Sequence, residues 1–414
     1  MIAFSEILAH RIRTSQVAPR TLAPGECASK SGKNCRLCYA HRLEYEDELR
    51  IKNEAMQEFW KKLFPTIPLQ PLIASPRGRE YRVISKRRVF AAKNDFVFGL
   101  IDLNENKKYD ALNVLRCAIE PKEHTALYDQ VENVLRANFL QTLSGILQYV
   151  IIKGNYDEQW IILNVAETSP KAIHEINQLS KLLSIGKGSL KGLSVLIDAA
   201  DSKYYTGSNK KTSEPRWRTV FGNKEIFHQV MEKKFLYHPL SFSQVNLSAM
   251  ENLLLVAERL LQPNPQATLY DLYCGYGLFA LCFADKFQRV VGVEMSLESI
   301  RSAIDNAKRQ HVSNNRFITS KITHESIRRV MRTSSQQDVV ILDPPRNGTL
   351  EGVIETIAAH SPRRVLHIFC NLDIIVTELE RWKRSRYHVL EAIPLDNFPG
   401  TPSMELMVLL EPED

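Results

Sequence analysis

Ile341-Leu342-Asp343-Pro344-Pro345-Arg346-Asn347-Gly348 closes an apolar run that begins at Val339. Four strand-forming residues followed by an acid and two prolines read as a short strand with an abrupt end. Proline lacks the N–H that a ladder needs and holds the residue before it extended. The run predicts a buried strand whose C-terminal end carries Asp343. Working outward, strands are predicted at 268–273, 290–294 and 364–369, with helices at 247–261, 297–310, 350–360 and 374–384. Strand and helix in alternation imply an α/β fold with a mostly parallel sheet. Two further runs, 389–394 and 404–410, predict a closing hairpin with Phe398-Pro399-Gly400 in its connection.

The 414 residues are many for one core, so several domains are expected. Residues 1–40 are polar and cysteine-bearing, and 41–73 form a helical connector with a charged amphipathic helix at 43–63. Pro65, Pro68, Pro71 and Pro76 mark a boundary. From 74 to 225, short β-branched runs alternate with turns around two helical patterns, which predicts a central α+β domain. Residues 226–414 hold the α/β sheet. A hydrophobic share of 44% and a charged share of 24% are ordinary for a soluble protein. No apolar run reaches the ~18 residues of a membrane span, and residues 1–20 lack a signal-peptide core. A cytoplasmic monomer is expected.

The net charge of +7 is a weak pointer to nucleic acid, but its distribution says more. Arg77, Arg79, Arg82, Lys86, Arg87, Arg88 and Lys93 crowd against the single acid Glu80, and 203–218 interleaves basic residues with Tyr204, Tyr205 and Trp217. Cations neutralise phosphates and aromatic faces stack on unpaired bases, so both stretches are expected to contact nucleic acid.

Three groups of residues could carry chemistry. Asp271-Leu272-Tyr273-Cys274-Gly275-Tyr276-Gly277 stands where a strand meets a helix, and Glu294 ends the next strand. Glycines there admit a ligand to the backbone, and the acid can accept ribose hydroxyls. The third glycine of a dinucleotide fingerprint is replaced by Ala280, which favours an adenosyl ligand without pyrophosphate, such as S-adenosylmethionine. Cys370 ends the strand 364–369, on the same sheet edge as Asp343. A cysteine there suits addition to C6 of a pyrimidine, which makes C5 nucleophilic enough to attack a sulfonium methyl. A base must then remove the C5 proton, and Glu405, an acid inside an apolar strand, is the candidate. Third, Cys27-x7-Cys35-x2-Cys38 has the spacing of zinc or iron–sulfur ligands. Cys117 is the candidate fourth ligand, with His41 as a competing zinc ligand; Cys274 and Cys282 read as packing residues.

From about Cys27 to Leu410 the chain resembles the bacterial RNA uracil-5-methyltransferases. The resemblance is carried by Gln244-Val245-Asn246, the Asp271–Gly277 turn, Gly292-Val293-Glu294, Asn306-Ala307, Asp343-Pro344-Pro345-Arg346-x-Gly348, Cys370-Asn371 and Phe398-Pro399-x-Thr401-x3-Glu405. It implies a class I, Rossmann-like S-adenosylmethionine methyltransferase sheet, a preceding α+β RNA-facing domain and an N-terminal Fe–S region. It further implies Cys370 as nucleophile and Glu405 as base, with Gln244, Tyr273, Glu294 and Asp343 holding the cofactor. Cys27, Cys35, Cys38 and Cys117 match the [4Fe–4S] ligands of members acting on 23S ribosomal RNA, and the small N-terminal barrel of some members is expected to be missing. Transfer RNA is the alternative substrate, and a non-catalytic RNA-binding assembly factor is the alternative of another class. The chain departs from the family pattern at Leu278, Leu372, Gly400 and Ser403, which bears on substrate fit.

Overall fold

The computed structural model describes residues 3–92, 95–103, 109–137, 140–184, 188–198 and 216–413. The chain forms two units: Met1–Pro19, Leu43–Gly78 and Phe227–Asp414 make one, Arg20–Arg42 and Arg79–Ile226 the other. The segments expected as separate domains at 1–40 and 41–73 are thus shared out between them. Hydrophobic faces decide the division. In the first unit, helix α1 (Phe4–Thr14) buries Phe4, Ile7, Leu8 and Ile12. It packs on α2 (Tyr45–Leu63), with the Phe4 and Phe59 rings 5.8 Å apart. An 11-residue stretch that reads as polar overall still presents four apolar positions at helical spacing.

The second unit is α+β. Its elements are β1 (Ile84–Ala92), β2 (Asp95–Leu103), β3 (Tyr109–Leu112), α3 (Lys122–Ala137), α4 (Gln141–Ile146), β4 (Leu147–Gly154), β5 (Gln159–Val165), α5 (Pro170–Ser184), β6 (Leu190–Ile197) and β7 (Arg216–Gly222). They build a sheet in the order β3-β2-β1-β4-β5-β6-β7. Only β5 and β6 pair in parallel, joined by α5, as a crossover requires. Leu127, Val131 and Leu135 of α3 and Ile176 and Leu179 of α5 enclose a core with Val150, Ile152, Ile161 and Leu163.

The first unit resumes with a hairpin of β8 (Ile226–Val230) and β9 (Lys233–Tyr237). There follow α6 (Met250–Leu261), β10 (Thr268–Leu272), α7 (Leu278–Cys282), β11 (Arg289–Glu294), α8 (Leu297–Arg309), β12 (Asn315–Thr319), α9 (His324–Val330), β13 (Val339–Leu342), α10 (Val353–Ala359), β14 (Arg364–Phe369), α11 (Ile375–Arg384), β15 (Tyr387–Leu395) and β16 (Glu405–Pro412). The sheet order is β12-β11-β10-β13-β14-β16-β15. Strands β10 to β14 are parallel, while β16 lies antiparallel between β14 and β15, so the predicted hairpin closes the sheet. All four residues of β13 are fully buried, which explains their unbroken apolar character. Leu69 and Ile73 bridge to Ala392 and Leu395 on the far side of β15. Among the described residues no helix is long and apolar enough to cross a membrane.

Candidate active site

The parallel strands direct their C-terminal ends to one edge of the sheet, where α/β folds bind ligands. Strand β10 delivers Asp271 and then turns sharply: Tyr273, Gly275 and Gly277 have φ of 69°, 54° and 86°. The N–H groups of Tyr273 and Cys274 donate to the Val293 carbonyl at 2.9 and 3.1 Å, tying the turn to β11. A Cβ on Gly275 would meet nothing within 4 Å, so this backbone faces open space. Asp271 is fully buried; its Oδ2 accepts the Ala280 N–H at 3.0 Å, while its Oδ1 has no partner. Burial, and then the charges of Asp343 and Glu294, push its carboxyl up to about 7. Glu294 closes β11 half-buried, with Oε1 accepting the Ser296 N–H at 2.8 Å. Asp343 follows β13 and its N–H reaches the Leu272 carbonyl at 3.4 Å; Gln244 is buried.

An open glycine turn, an orphaned carboxylate oxygen and a half-buried acid one strand over fit an adenosyl group. Glu294→Ala removes acceptors for ribose hydroxyls, each worth roughly 1–3 kcal/mol when charge-assisted. Affinity for S-adenosylmethionine, measured by calorimetry, should fall about tenfold or more. An unchanged value would move the cofactor elsewhere.

The reactive end is built by strand direction. Phe369 of β14 pairs with Leu406 of β16, so Cys370, just past β14, comes level with Glu405 at the start of the antiparallel strand. Cys370 is half-buried and Glu405 is 3% exposed. Burial raises the Cys370 thiol to about 12, with Asp343 and Glu405 adding to the rise and Arg346 opposing it. Burial, reinforced by Asp343, lifts the Glu405 carboxyl to about 8. The Asn397 amide donates to its Oε2 at 2.7 Å. Arg346 donates to the Ser403 hydroxyl at 3.1 Å, and the Asn371 amide to the Arg346 carbonyl at 3.0 Å. One thiol and one high-pKa acid, with Asp343 as a second carboxylate, thus stand at the ends of neighbouring antiparallel strands.

Residues 222–413 match the family model described as tRNA (uracil-5-)-methyltransferase. Through this stretch the chain carries a domain of the RNA (uracil-5-)-methyltransferase family. Its relatives include an uncharacterized RNA methyltransferase of Clostridium tetani, 25% identical over 92% of this chain and 82% of that protein. Another, from Staphylococcus aureus, is 24% identical over 91% and 82%. The tRNA (uracil-54, C5)-methyltransferase of Pyrococcus abyssi, solved with S-adenosyl-L-homocysteine, shares the fold at TM-score 0.68 and 18% identity, covering 91% of this chain and 87% of that one. A methyltransferase of this family takes its methyl from S-adenosylmethionine, and the glycine turn of β10 is the feature that fits this cofactor.

The four predicted metal ligands lie in the second unit, with no disulfide among them. Residues 26–29 run alongside 114–116 through bridges Glu26–Arg116 and Ser29–Val114, which draws Cys27 toward Cys117. The Cys35 N–H donates to the Cys27 carbonyl at 2.6 Å. The thiols feel one another in pairs: Cys35 contributes to raising Cys27, and Cys38 to raising Cys117, burial being the largest cause in both. Yet no three metal-binding side chains among the described residues form a group that could hold a metal. The donors are chemically right for a thiolate centre. The His41 ring is bonded to the Cys38 carbonyl. Cys274 and Cys282 are buried packing residues, as expected.

Of the basic stretch at 77–93, Lys93 lies outside the described residues, and strand alternation divides Lys86, Arg87 and Arg88. Lys86 and Arg88 are half-exposed and lie over the Tyr149 ring at 5.2 and 5.8 Å. Arg87 corrects the sequence expectation: it is 4% exposed, clamped by both oxygens of Glu120 at 2.9 and 2.6 Å, with its guanidinium 4.5 Å from the Tyr128 ring centre. Its charge is consumed inside the unit and is not offered to phosphate. Of the second stretch, Lys203, Tyr204 and Tyr205 lie outside the described residues; Arg216, Trp217 and Arg218 belong to β7. Two groups were not foreseen in the sequence. One is Asn397, which carries no motif signal of its own. The other is Glu48 with Lys52, whose i,i+4 spacing on a charged helix reads as a surface pair but is wholly buried.

Proposed function

We infer that this methyltransferase modifies one uridine of 23S ribosomal RNA in the cytoplasm through a covalent bond between Cys370 and C6. The observation carrying this reading is the antiparallel β16, which sets Glu405 level with Cys370. Cys370 adds to C6 as a thiolate, its thiol proton passing to solvent, and the C5=C6 electron pair moves into the C4 carbonyl as an enolate. Bound S-adenosylmethionine, held by Gln244, Tyr273, Glu294 and Asp343, supplies the electrophilic methyl that C5 takes up. Glu405 then removes the C5 proton; the C–H pair re-forms C5=C6 and the C6–S bond breaks, returning the thiolate. With its carboxyl near 8, Glu405 needs higher pH to be ionised, so proton removal should speed up with pH and level off above about 8.

Cys27, Cys35, Cys38 and Cys117 are proposed to hold a [4Fe–4S] cluster. Nothing in the reaction transfers electrons, so the cluster has a folding and RNA-positioning role. Protein purified without air should be brown, with thiolate-to-iron absorption, and Cys117→Ala should destabilise the second unit because metal binding energy is also folding energy. Bound zinc with neither iron nor sulfide would refute the cluster.

The second reading is the same chemistry on transfer RNA, favoured by the description of the matching family model. Mapping 5-methyluridine in ribosomal and transfer RNA from cells with and without the gene separates the two. Loss of the base from 23S RNA alone is expected. Its loss from transfer RNA alone would overturn the ribosomal assignment.

A further inference from the structure

The connection from β15 to β16 is held by more charge than a loop needs. Lys52 of α2 is fully buried, with Nζ 2.9 Å from Asp396 Oδ1 and 2.9 Å from Glu48 Oε1. It also donates to the Phe398 carbonyl at 3.2 Å, while Glu48 accepts the Gly400 N–H. From the other side Asn246 donates to the Asn397 carbonyl at 3.2 Å and to Ser75 Oγ at 2.8 Å. The Asp396 N–H donates to the Ile73 carbonyl at 2.9 Å. Ion groups taken out of water cost several kcal/mol each unless fully paired, and stability alone is a weak reason to keep them. What these contacts share is the residue between them. Asn397, 4% exposed, is fixed at its backbone on both flanks, and its side-chain N–H holds Glu405 Oε2. Among the described residues it is the one hydrogen-bond partner of that carboxyl.

We propose that Asn397 is the positioning residue of the base: held by Asn246 and by the Lys52–Asp396 pair, its amide pins Oε2 of Glu405 and leaves Oε1 to take the C5 proton. This rests on the reading of Glu405 given above. An amide suits the task. It donates to the carboxylate that must exist before proton transfer, it cannot itself titrate, and it adds no charge beside Asp343, Cys370 and Arg346, which already face the site. The hydrogen bond also favours the ionised base, against burial and the Asp343 charge, which disfavour it. Helix α2, more than 150 residues before the family match at 222–413, thereby becomes part of the active-site scaffold.

The test compares wild type with Asn397→Leu, of similar volume without the N–H, and Asn397→Gln, which keeps it on a longer stem. The probe is ribosomal and transfer RNA from cells lacking the gene, labelled with tritium at uracil C5, so that tritium release reports proton removal. RNA from the same cells grown on 5-fluorouracil reports addition through covalent adduct formation. For Asn397→Leu, tritium release should fall about tenfold or more, its pH midpoint should rise, and methylated adduct should accumulate. Adduct formation with the fluorinated RNA should stay within about twofold of wild type. Asn397→Gln should recover part of the release rate. Release with wild-type rate and midpoint, or an equal fall in addition and release, would overturn the proposal, the second outcome marking a merely structural residue. If wild type itself forms no fluorinated adduct, the covalent reading fails and this inference with it.

Discussion

Replacing Cys370 by alanine is expected to abolish methyl transfer and every covalent protein–RNA species. C5 of uracil has little nucleophilic character until a sulfur sits on C6, and among the described residues the other cysteine at this sheet edge, Cys274, is buried in the glycine turn, and Cys282 ends α7. Turnover should fall on the order of 10⁴-fold or more, the scale on which loss of a covalent nucleophile is felt. Affinity for S-adenosylmethionine should be unchanged, because the cofactor turn belongs to β10 and β11. RNA containing 5-fluorouracil should trap wild type and fail to trap the variant. Retained turnover, or an adduct mapped by mass spectrometry to another cysteine, would sink the assignment.

Glu405→Gln should behave in the opposite way. The amide keeps the size of the side chain but cannot accept a proton. Addition and methylation should proceed, and the reaction should stall before C6–S cleavage. A protein–RNA adduct that survives denaturing gels should accumulate on ordinary RNA, while turnover drops by about 10²–10⁴-fold. Turnover near wild type would show that another group takes the proton. Asp343, whose carboxyl burial also raises to about 7, is the acid to examine next.

Much of the catalytic sheet was legible because its signals are local. Val339–Leu342 is apolar without interruption because β13 is covered completely, and the two prolines after Asp343 mark where it stops. Glu405 stood out because an acid opening the run Leu406 to Leu410 has no cheap place in a sheet. Strand β12 was not read: Asn315–Thr319 is an edge strand, half-exposed along its length, and lacks a clean alternation. Helix α1 was hidden by its polar average. Arg87 misled for a different reason. Its neighbours Lys86 and Arg88 are half-exposed, and only the pleat, with Glu120 as partner, separates it from them. The Lys52–Asp396 pair was invisible because the two residues are 344 positions apart, and nothing in either neighbourhood announces the other.

That separation has a consequence for how the protein is made. A ribosome adding about 5–20 residues per second needs roughly 20–70 s to travel from Lys52 to Asp396. During that interval α2 exists while the strand ends it must grip do not. Residues 69–73, which pair with β15, wait as long. The second unit, whose chain lies between Arg20 and Ile226, can complete its sheet meanwhile. The catalytic unit therefore closes last, around a helix synthesised near the beginning, and a chain that stops short of β15 leaves Lys52 and Glu48 without Asp396 to bury them against.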